Sequence, residues 1–345
     1  MKYPFIIISL SLFLLTQCKS APKEIEVEVE IDPVDQEIEV IIQRSEHNLP
    51  VTSFREIWGY VLAGKETDLT KGLPITDVGY FGAEVDMYGA LSKVPNRQNL
   101  PEFNGRVHLV VTCGSNALTY FTLMPGSSQR KNLIADLIAA TKNYDGLNID
   151  FESIPARSGD AFLSFLRELR AGLPKDKIFS IALYARTKTI ANDVYDYEKI
   201  KPIVDKIFIM AYDEHWSGGA PGSVASIKWC RNVADYSLRV IGDDKLIMGI
   251  PFYGRAWVEK NHHRALIYST TENLIETYKV KEIKRDNGIP NFDYIANIAV
   301  KVYYEDEHSI SMRMEMYKSM KIKAIGFWRI GQETPKVWEI IKLEQ

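Results

Sequence analysis

The chain has 345 residues, 46% of them hydrophobic, enough to bury one large core or two ordinary ones. A net charge of -3, with the basic residues scattered, leaves no footprint for nucleic acid. Three cysteines (Cys18, Cys113, Cys230) are too few for a disulfide framework, and six histidines without HxH or HExxH spacing make no dedicated metal site, so neither metal nor other cofactor is expected.

At the N-terminus, Lys2 precedes a run from Phe5 to Leu15 that is apolar except at Ser9 and Ser11. That is the length of an export signal and too short to span a bilayer comfortably. The run closes on Leu15-Thr16-Gln17-Cys18, which resembles a bacterial lipobox with Gln17 where a small residue is usual. Residues 1–18 are therefore expected to direct export, with Cys18 lipidated and the protein held at the cell envelope by that anchor alone. Glu24, Glu26, Glu28 and Glu30 then alternate with Ile25, Val27, Val29 and Ile31, and residues 19–52 are read as an acidic, solvated tether.

From about Phe54, short β-rich runs alternate with helical stretches, the pattern of an α/β fold with a parallel sheet. Strands are predicted at Glu56–Val61, Asp77–Phe81, Val107–Thr112, Leu147–Phe151, Ile178–Tyr184, Lys206–Tyr212, Leu246–Phe252 and Ala324–Trp328. Helices are clearest at Arg130–Thr141, Asp160–Ala171 and Ser226–Tyr236. Eight such strands fit a (β/α)8 TIM barrel over residues 53–345 better than a doubly wound sheet. The seventh and eighth strands are too far apart for one helix, so a small α+β insertion on the rim is expected at about residues 258–306. The protein is expected to act as a monomer.

The fourth strand carries the chemistry. Side chains alternate faces along a strand, so Leu147, Ile149 and Phe151 point one way and Asn148, Asp150 and Glu152 the other. In a barrel the polar set lines the interior and climbs toward the C-terminal mouth, where barrel enzymes place their sites. Two acids two residues apart on one face discourage each other from ionising, which raises at least one pKa, as a general acid near neutral pH requires. Stacked on one strand, they are poorly placed to attack a sugar from opposite faces; a nucleophile supplied by the substrate removes that difficulty.

Asp145–Glu152 resembles the DxxDxDxE signature of glycoside hydrolase family 18, the chitinase family, with Asn148 in place of the middle acid. Met210-Ala211-Tyr212-Asp213 is similar to the family's MxYD, Gly249–Trp257 to its GxPxYGRxW, and Gly326-Phe327-Trp328 to the end of its eighth strand. The resemblance implies substrate-assisted hydrolysis of a polysaccharide containing N-acetylglucosamine. It makes Glu152 the proton donor, Asp150 the partner of the acetamido N–H, and Tyr212 the hydrogen-bond donor to the acetamido oxygen. Asp145 becomes a support low in the strand. Trp328 floors the cleft, and Met210, Asp213, Tyr253 and Arg255 shape it. Asn148 cannot share a proton as an aspartic acid can, so the pH profile is expected to depart from that of members with three acids. Thr112-Cys113-Gly114-Ser115 matches the family's SxGG weakly.

The stretch Met210–Trp257 and the ending Trp328-Arg329-Ile330-Gly331-Gln332-Glu333 look most like the branch of spore-cortex and peptidoglycan-lytic enzymes. Among the aromatic residues, Trp328 and Trp257 end strands at the mouth and are assigned to the cleft, while Trp229 lies in a predicted helix and is assigned to the core. Trp58 and Trp216 are further candidate platforms. Tyr80 and Phe81, ending the second strand, are candidates for sugar contact or for core. His215 sits on the rim or in a solvated loop. A carbohydrate-binding protein without turnover is the rival reading; the presence of both Asp150 and Glu152 weighs against it.

Overall fold

The computed structural model describes residues 49–258, 266, 268–286, 289–297 and 299–344. The expected export signal, the lipidation at Cys18 and the tether as far as residue 48 lie outside the described residues. Thr52, placed at the tether's end, already belongs to the folded unit. Thr52–Phe54 pairs in parallel with Ile341–Leu343. Among the described residues no helix is long and apolar enough to cross a membrane.

The barrel consists of eight parallel strands: β1 (Glu56–Leu62), β2 (Asp77–Val85), β3 (Arg106–Thr112), β4 (Gly146–Asp150), β5 (Ile178–Tyr184), β6 (Lys206–Met210), β7 (Leu246–Pro251) and β8 (Ala324–Trp328). Each pairs with the next, and β8 also pairs with β1, so the sheet closes on itself. Closure leaves the barrel no parallel edge exposed. β2 runs longer than predicted, through an irregularity between Phe81 and Ala83, and its extension pairs with a short strand at Leu91–Ser92.

The period of two decides which residues go where. Ile57, Val78, Leu109, Leu147, Ile149, Ile181, Ile207 and Ile325 face outward into one large buried shell beneath the helices. Trp58, Tyr60, Val110, Phe208, Ile247 and Ala324 form a separate cluster inside the barrel. The helices that cover the shell are α1 (Asn116–Leu123), α2 (Ser128–Thr141), α3 (Gly159–Gly172), α4 (Ile227–Ile241) and α6 (Glu307–Ser319), whereas α5 (Tyr268–Thr277) buries no residue. In α4, Ser226 caps the first turn and Cys230, Val233, Ala234, Ser237 and Ile241 bury one stripe at helical spacing. That stripe carries the helix one turn beyond its predicted end, as far as Gly242, whose φ of 84° stops it. Between β5 and β6 the connection is an irregular loop followed by a single helical turn, Tyr197–Ile200.

The expected α+β insertion is present. It begins at Arg255, not residue 258, because Arg255–Val258 pairs antiparallel with Val300–Tyr303. It also contains α5 and a small hairpin, Lys284–Asp286 with Ile289–Asn291. Its exit is fastened by a buried ion pair in which both Nη atoms of Arg313 reach Glu305 at 3.0 Å, while Nη2 also donates to the Ala225 carbonyl at 2.6 Å. Leaving either charge unpaired there would cost about 3–5 kcal/mol.

Candidate active site

β4 behaves as its alternation requires. Asn148 and Asp150 are buried inside the barrel, while Leu147, Ile149 and Phe151 pack outward. The strand's ladder ends at Asp150, which pairs with Thr112 of β3. Glu152 follows just above it at the C-terminal mouth, exposed to solvent. Both acids line a cleft of about 760 Å³ together with Tyr212, Met210, Phe81 and Trp328.

Asp150 is the perturbed member of the pair. Burial and the charge of Glu152 push its carboxyl from the usual value near 3.8 up to about 8. Its Oδ1 is buried and has no hydrogen-bond partner among the described residues, and the same holds for Asn148 Oδ1 and the Tyr60 hydroxyl. The amide of Asn148 donates to Ser180 Oγ at 2.8 Å, and Ser180 donates to the Leu147 carbonyl at 3.3 Å. Beneath the mouth, then, lies a group of neutral or proton-bearing polar atoms with unused capacity. Such atoms are costly to bury unless something fills them.

Tyr212 sits just past the end of β6, and burial, with the nearby Tyr60 and Asp150, raises its hydroxyl well above the usual tyrosine range. It therefore remains a donor at any ordinary pH. Asp213, beside it, takes a left-handed backbone (φ 58°). Its Oδ1 accepts from Tyr253 Oη at 2.6 Å and from Arg255 Nε and Nη2 at 2.9 and 2.6 Å. The motif on strand six is thereby locked to the one on strand seven. Trp328, ending β8, meets Phe81 edge-on at 5.0 Å and Tyr60 at 5.4 Å, contacts that hold its ring in the cleft lining.

With this geometry in place, the likeness to known proteins is specific. Residues 81–333 match Glycosyl hydrolases family 18. The chain belongs to that family. The family's fold is shared by solved structures of the Bacillus cereus spore cortex-lytic enzyme SleL (TM-score 0.66, 23% identity, 85% of this chain and 76% of that one) and of a chitinase from Chromobacterium violaceum ATCC 12472 (TM-score 0.63, 20% identity, 83% and 97%). In sequence it is 31% identical over 232 residues to the uncharacterized glycosylase YvbX of Bacillus subtilis (strain 168), covering 64% of this chain and 67% of that protein. It is 27% identical over 291 residues to the cortical fragment-lytic enzyme of Bacillus anthracis, covering 77% and 67%. For YdhD of Bacillus subtilis (strain 168) the match spans about half of that protein, 54%.

In this family 18 chain Trp257, assigned to the cleft, lies elsewhere, and of the two readings open for Tyr80 the structure has the core. Tyr80 faces outward from β2 into the shell, buried, with its hydroxyl on the carboxylate of Glu66. The alternation that turns Phe81 into the cleft turns Tyr80 away from it. Trp257 lies past the end of β7, on the first strand of the insertion, where the barrel's alternation no longer applies. It is buried edge-on to Tyr303 and lines a separate cavity with Pro221 and Val300. Trp229 departs in the other direction: it packs partly on the core but also reaches the cleft wall. Trp58 is wholly buried, stacked on His108.

Asp145 lies at the opposite, N-terminal end, where Oδ2 accepts from Arg97 Nη2 at 2.9 Å and the Val107 amide at 2.8 Å. Another cavity, about 780 Å³, opens at that end, away from the strand termini where barrel chemistry sits. Cys113 and Cys230 are buried free thiols. His215 is half-buried, its Nδ1 2.9 Å from the Ser223 carbonyl. Trp216, a candidate platform, lines the cleft, and Tyr184, Arg186 and Gln332 line it without having been assigned to it. Tyr184 had a usable signal, since it is the last residue of a barrel strand. Arg186, Trp216 and Gln332 come from loops whose course no periodicity predicts.

Proposed function

We propose that the chain is a retaining glycoside hydrolase that cleaves β-linked N-acetylglucosamine-containing glycan by substrate assistance. The observation that carries this reading is the set of carboxylates on the cleft. Of the three that line it among the described residues, Asp150 lies two residues before Glu152 in the same segment, and Asp213 is engaged by Arg255 and Tyr253. Among the described residues the lining offers no further carboxylate to act as the enzyme nucleophile. The acetamido group of the sugar fills that role.

In this mechanism Glu152 gives its proton to the glycosidic oxygen as that bond to the anomeric carbon breaks. The acetamido oxygen forms the new bond to the same carbon, closing an oxazolinium ring. Asp150 accepts the acetamido N–H on its unpartnered Oδ1 and, as carboxylate, balances the positive charge. Tyr212 donates to the acetamido oxygen and sets its line of attack, over the face of Trp328. Water, deprotonated by Glu152, then opens the ring with retention.

The substrate proposed is peptidoglycan or a related glycan, a reading supported by the cortical fragment-lytic relatives. With it goes the arrangement of an exported, monomeric catalytic barrel tethered through residues 19–52 to a lipid on Cys18. Mass spectrometry of products from chitooligosaccharides and peptidoglycan, side by side, tests the proposal. The expected result is new reducing N-acetylglucosamine ends, lost in Glu152→Gln and blocked by a thiazoline analogue of the sugar. Near-native turnover by Glu152→Gln would remove the proton donor from the scheme. Indifference to the thiazoline would remove substrate assistance.

A further inference from the structure

The segment that presents Glu152 has lost its sheet. The ladder of β4 stops at Asp150 on the β3 side and at Ile149 on the β5 side, so residues 151–154 must find other partners. Side-chain hydroxyls supply them. The Tyr195 hydroxyl donates to the Phe151 carbonyl at 2.9 Å and accepts the Ile154 amide at 3.3 Å, and Thr119 donates to the Ser153 carbonyl. Tyr184 Oη lies 2.9 Å from the Glu152 carbonyl and 3.1 Å from Glu152 Oε2. Tyr184 is thus the hydroxyl that touches the carboxyl itself.

Tyr184 is held firmly enough to act as a reference point. Its own carbonyl accepts from the Tyr197 hydroxyl at 2.6 Å. Its ring meets Tyr195 edge-on at 5.2 Å. The guanidinium of Arg186 lies 5.8 Å from the ring centroid, fixed there by a two-pronged pair with Asp193 at 2.6 and 3.2 Å.

We propose that Tyr184 is a positioning residue for the proton donor, fixing Oε2 of Glu152 so that proton transfer to and from the glycan runs through Oε1. This rests on the glycosidase reading above. A phenol has one proton and free lone pairs. When Glu152 is ionised, Tyr184 donates to Oε2. When Glu152 carries its proton on Oε1, Oε2 is the carbonyl oxygen and still accepts from Tyr184. Either way the carboxyl keeps one orientation through the cycle.

The test uses the full chain and aryl glycosides of N-acetylglucosamine oligomers with leaving groups of graded basicity. Phenol departs only with a proton; 2,4-dinitrophenol departs without one. Tyr184→Phe is expected to lower kcat about 30-fold on the phenyl glycoside and less than about 3-fold on the dinitrophenyl one, with KM within about 2-fold. Tyr195→Phe, which loses only backbone bonds, is expected to slow both alike. Equal losses on both substrates in Tyr184→Phe, or no loss on either, overturn the assignment. If Tyr184→Phe fails to fold, 3,5-difluorotyrosine at position 184 keeps the shape and changes only the hydroxyl's acidity. Its kcat must then shift on the phenyl substrate alone, and an unshifted kcat counts against the proposal. A wild-type chain that turns over none of these glycosides sinks the glycosidase reading itself, an outcome distinct from the others.

Discussion

Asp77 and Asp150 are aspartates buried in the same barrel, 0% and 6% exposed, and they are driven toward opposite charge states. At the base, Asp77 receives Arg106 Nε and Nη2 on its two oxygens at 2.7 Å, with His108 Nε2 at 2.7 Å from Oδ1. Burial alone would push its carboxyl up. Hydrogen bonds from His108 and Arg106, with their charges, outweigh that and hold it below the usual carboxylate range. At the mouth, Asp150 meets the same burial with no cation beside it and with Glu152 as its neighbour, and rises to about 8. Burial acts alike on both; the partners decide. A carboxylate with three donors braces a barrel. One with an unfilled oxygen and a negative neighbour is kept away from its preferred state until a ligand supplies the missing donor.

The largest effects should separate these two aspartates. Asp150→Asn is expected to lower turnover by about 10²–10⁴, as for Glu152→Gln, whereas Asp77→Asn should stay within about 3-fold once folded. Tyr212→Phe, which removes one hydrogen bond to the acetamido oxygen, should lose about 10-fold. Stability should move the other way. The folded chain keeps a proton on Asp150 that the unfolded chain releases near pH 4, so raising the pH from 4 to 8 costs the folded state. Asparagine mimics the protonated acid without that cost. Asp150→Asn should therefore be more stable than wild type by about 2–4 kcal/mol at pH 8, with the gain vanishing near pH 4, in urea melts at both pH values. A variant destabilised at pH 8 would mean that Asp150 is paired after all.

Asp77→Asn supplies the mirror image. Its carboxylate is stabilised in the folded chain, so the contribution is present above the unfolded pKa and lost as the pH falls through the lower folded value. At pH 7 the substitution should cost about 3 kcal/mol, because it leaves His108 and Arg106 facing a neutral amide. As the pH falls below the ordinary aspartate value and through the lower folded one, the difference between variant and wild type should shrink. A cost independent of pH would assign the loss to packing rather than to charge.

The two ends of the barrel were not equally legible. Strand alternation was enough to turn Asn148, Asp150 and Glu152 inward, because a period of two admits only two faces. Closure of the sheet followed from the number and spacing of the apolar runs. The raised carboxyl, however, is the inner Asp150, whose depth the sequence does not state. Tyr80 and Phe81 were ambiguous because an aromatic side chain suits either face of a barrel strand, whereas the fourth strand keeps its polar residues on one face. Trp257 was placed wrongly because β7 ends at Pro251 and the chain leaves the barrel before reaching it. Arg186 and Trp216 sit on loops, and Asp77, His108 and Arg106 meet across β2 and β3 through register alone.

A smaller effect probes whether the mouth divides into a reacting part and a merely adhesive one. Trp216 lines the cleft yet is 58% exposed, lying so close over Gly218 that an added Cβ there would come within 2.2 Å of its ring. It touches neither Asp150 nor Glu152 by any ring contact or hydrogen bond, so it offers a flat apolar face and nothing that changes as the bond breaks. Trp216→Ala should accordingly raise KM about 5–10-fold, the worth of one aromatic face, and leave kcat within about 2-fold. Because little of the ring is buried, melting should shift by no more than about 1 °C. Gly218→Ala, which pushes the ring aside without removing it, should move KM in the same direction by less. A fall in kcat at unchanged KM would place this ring against the reacting sugar, and the boundary between bracing, reacting and adhesive regions would have to be redrawn around it.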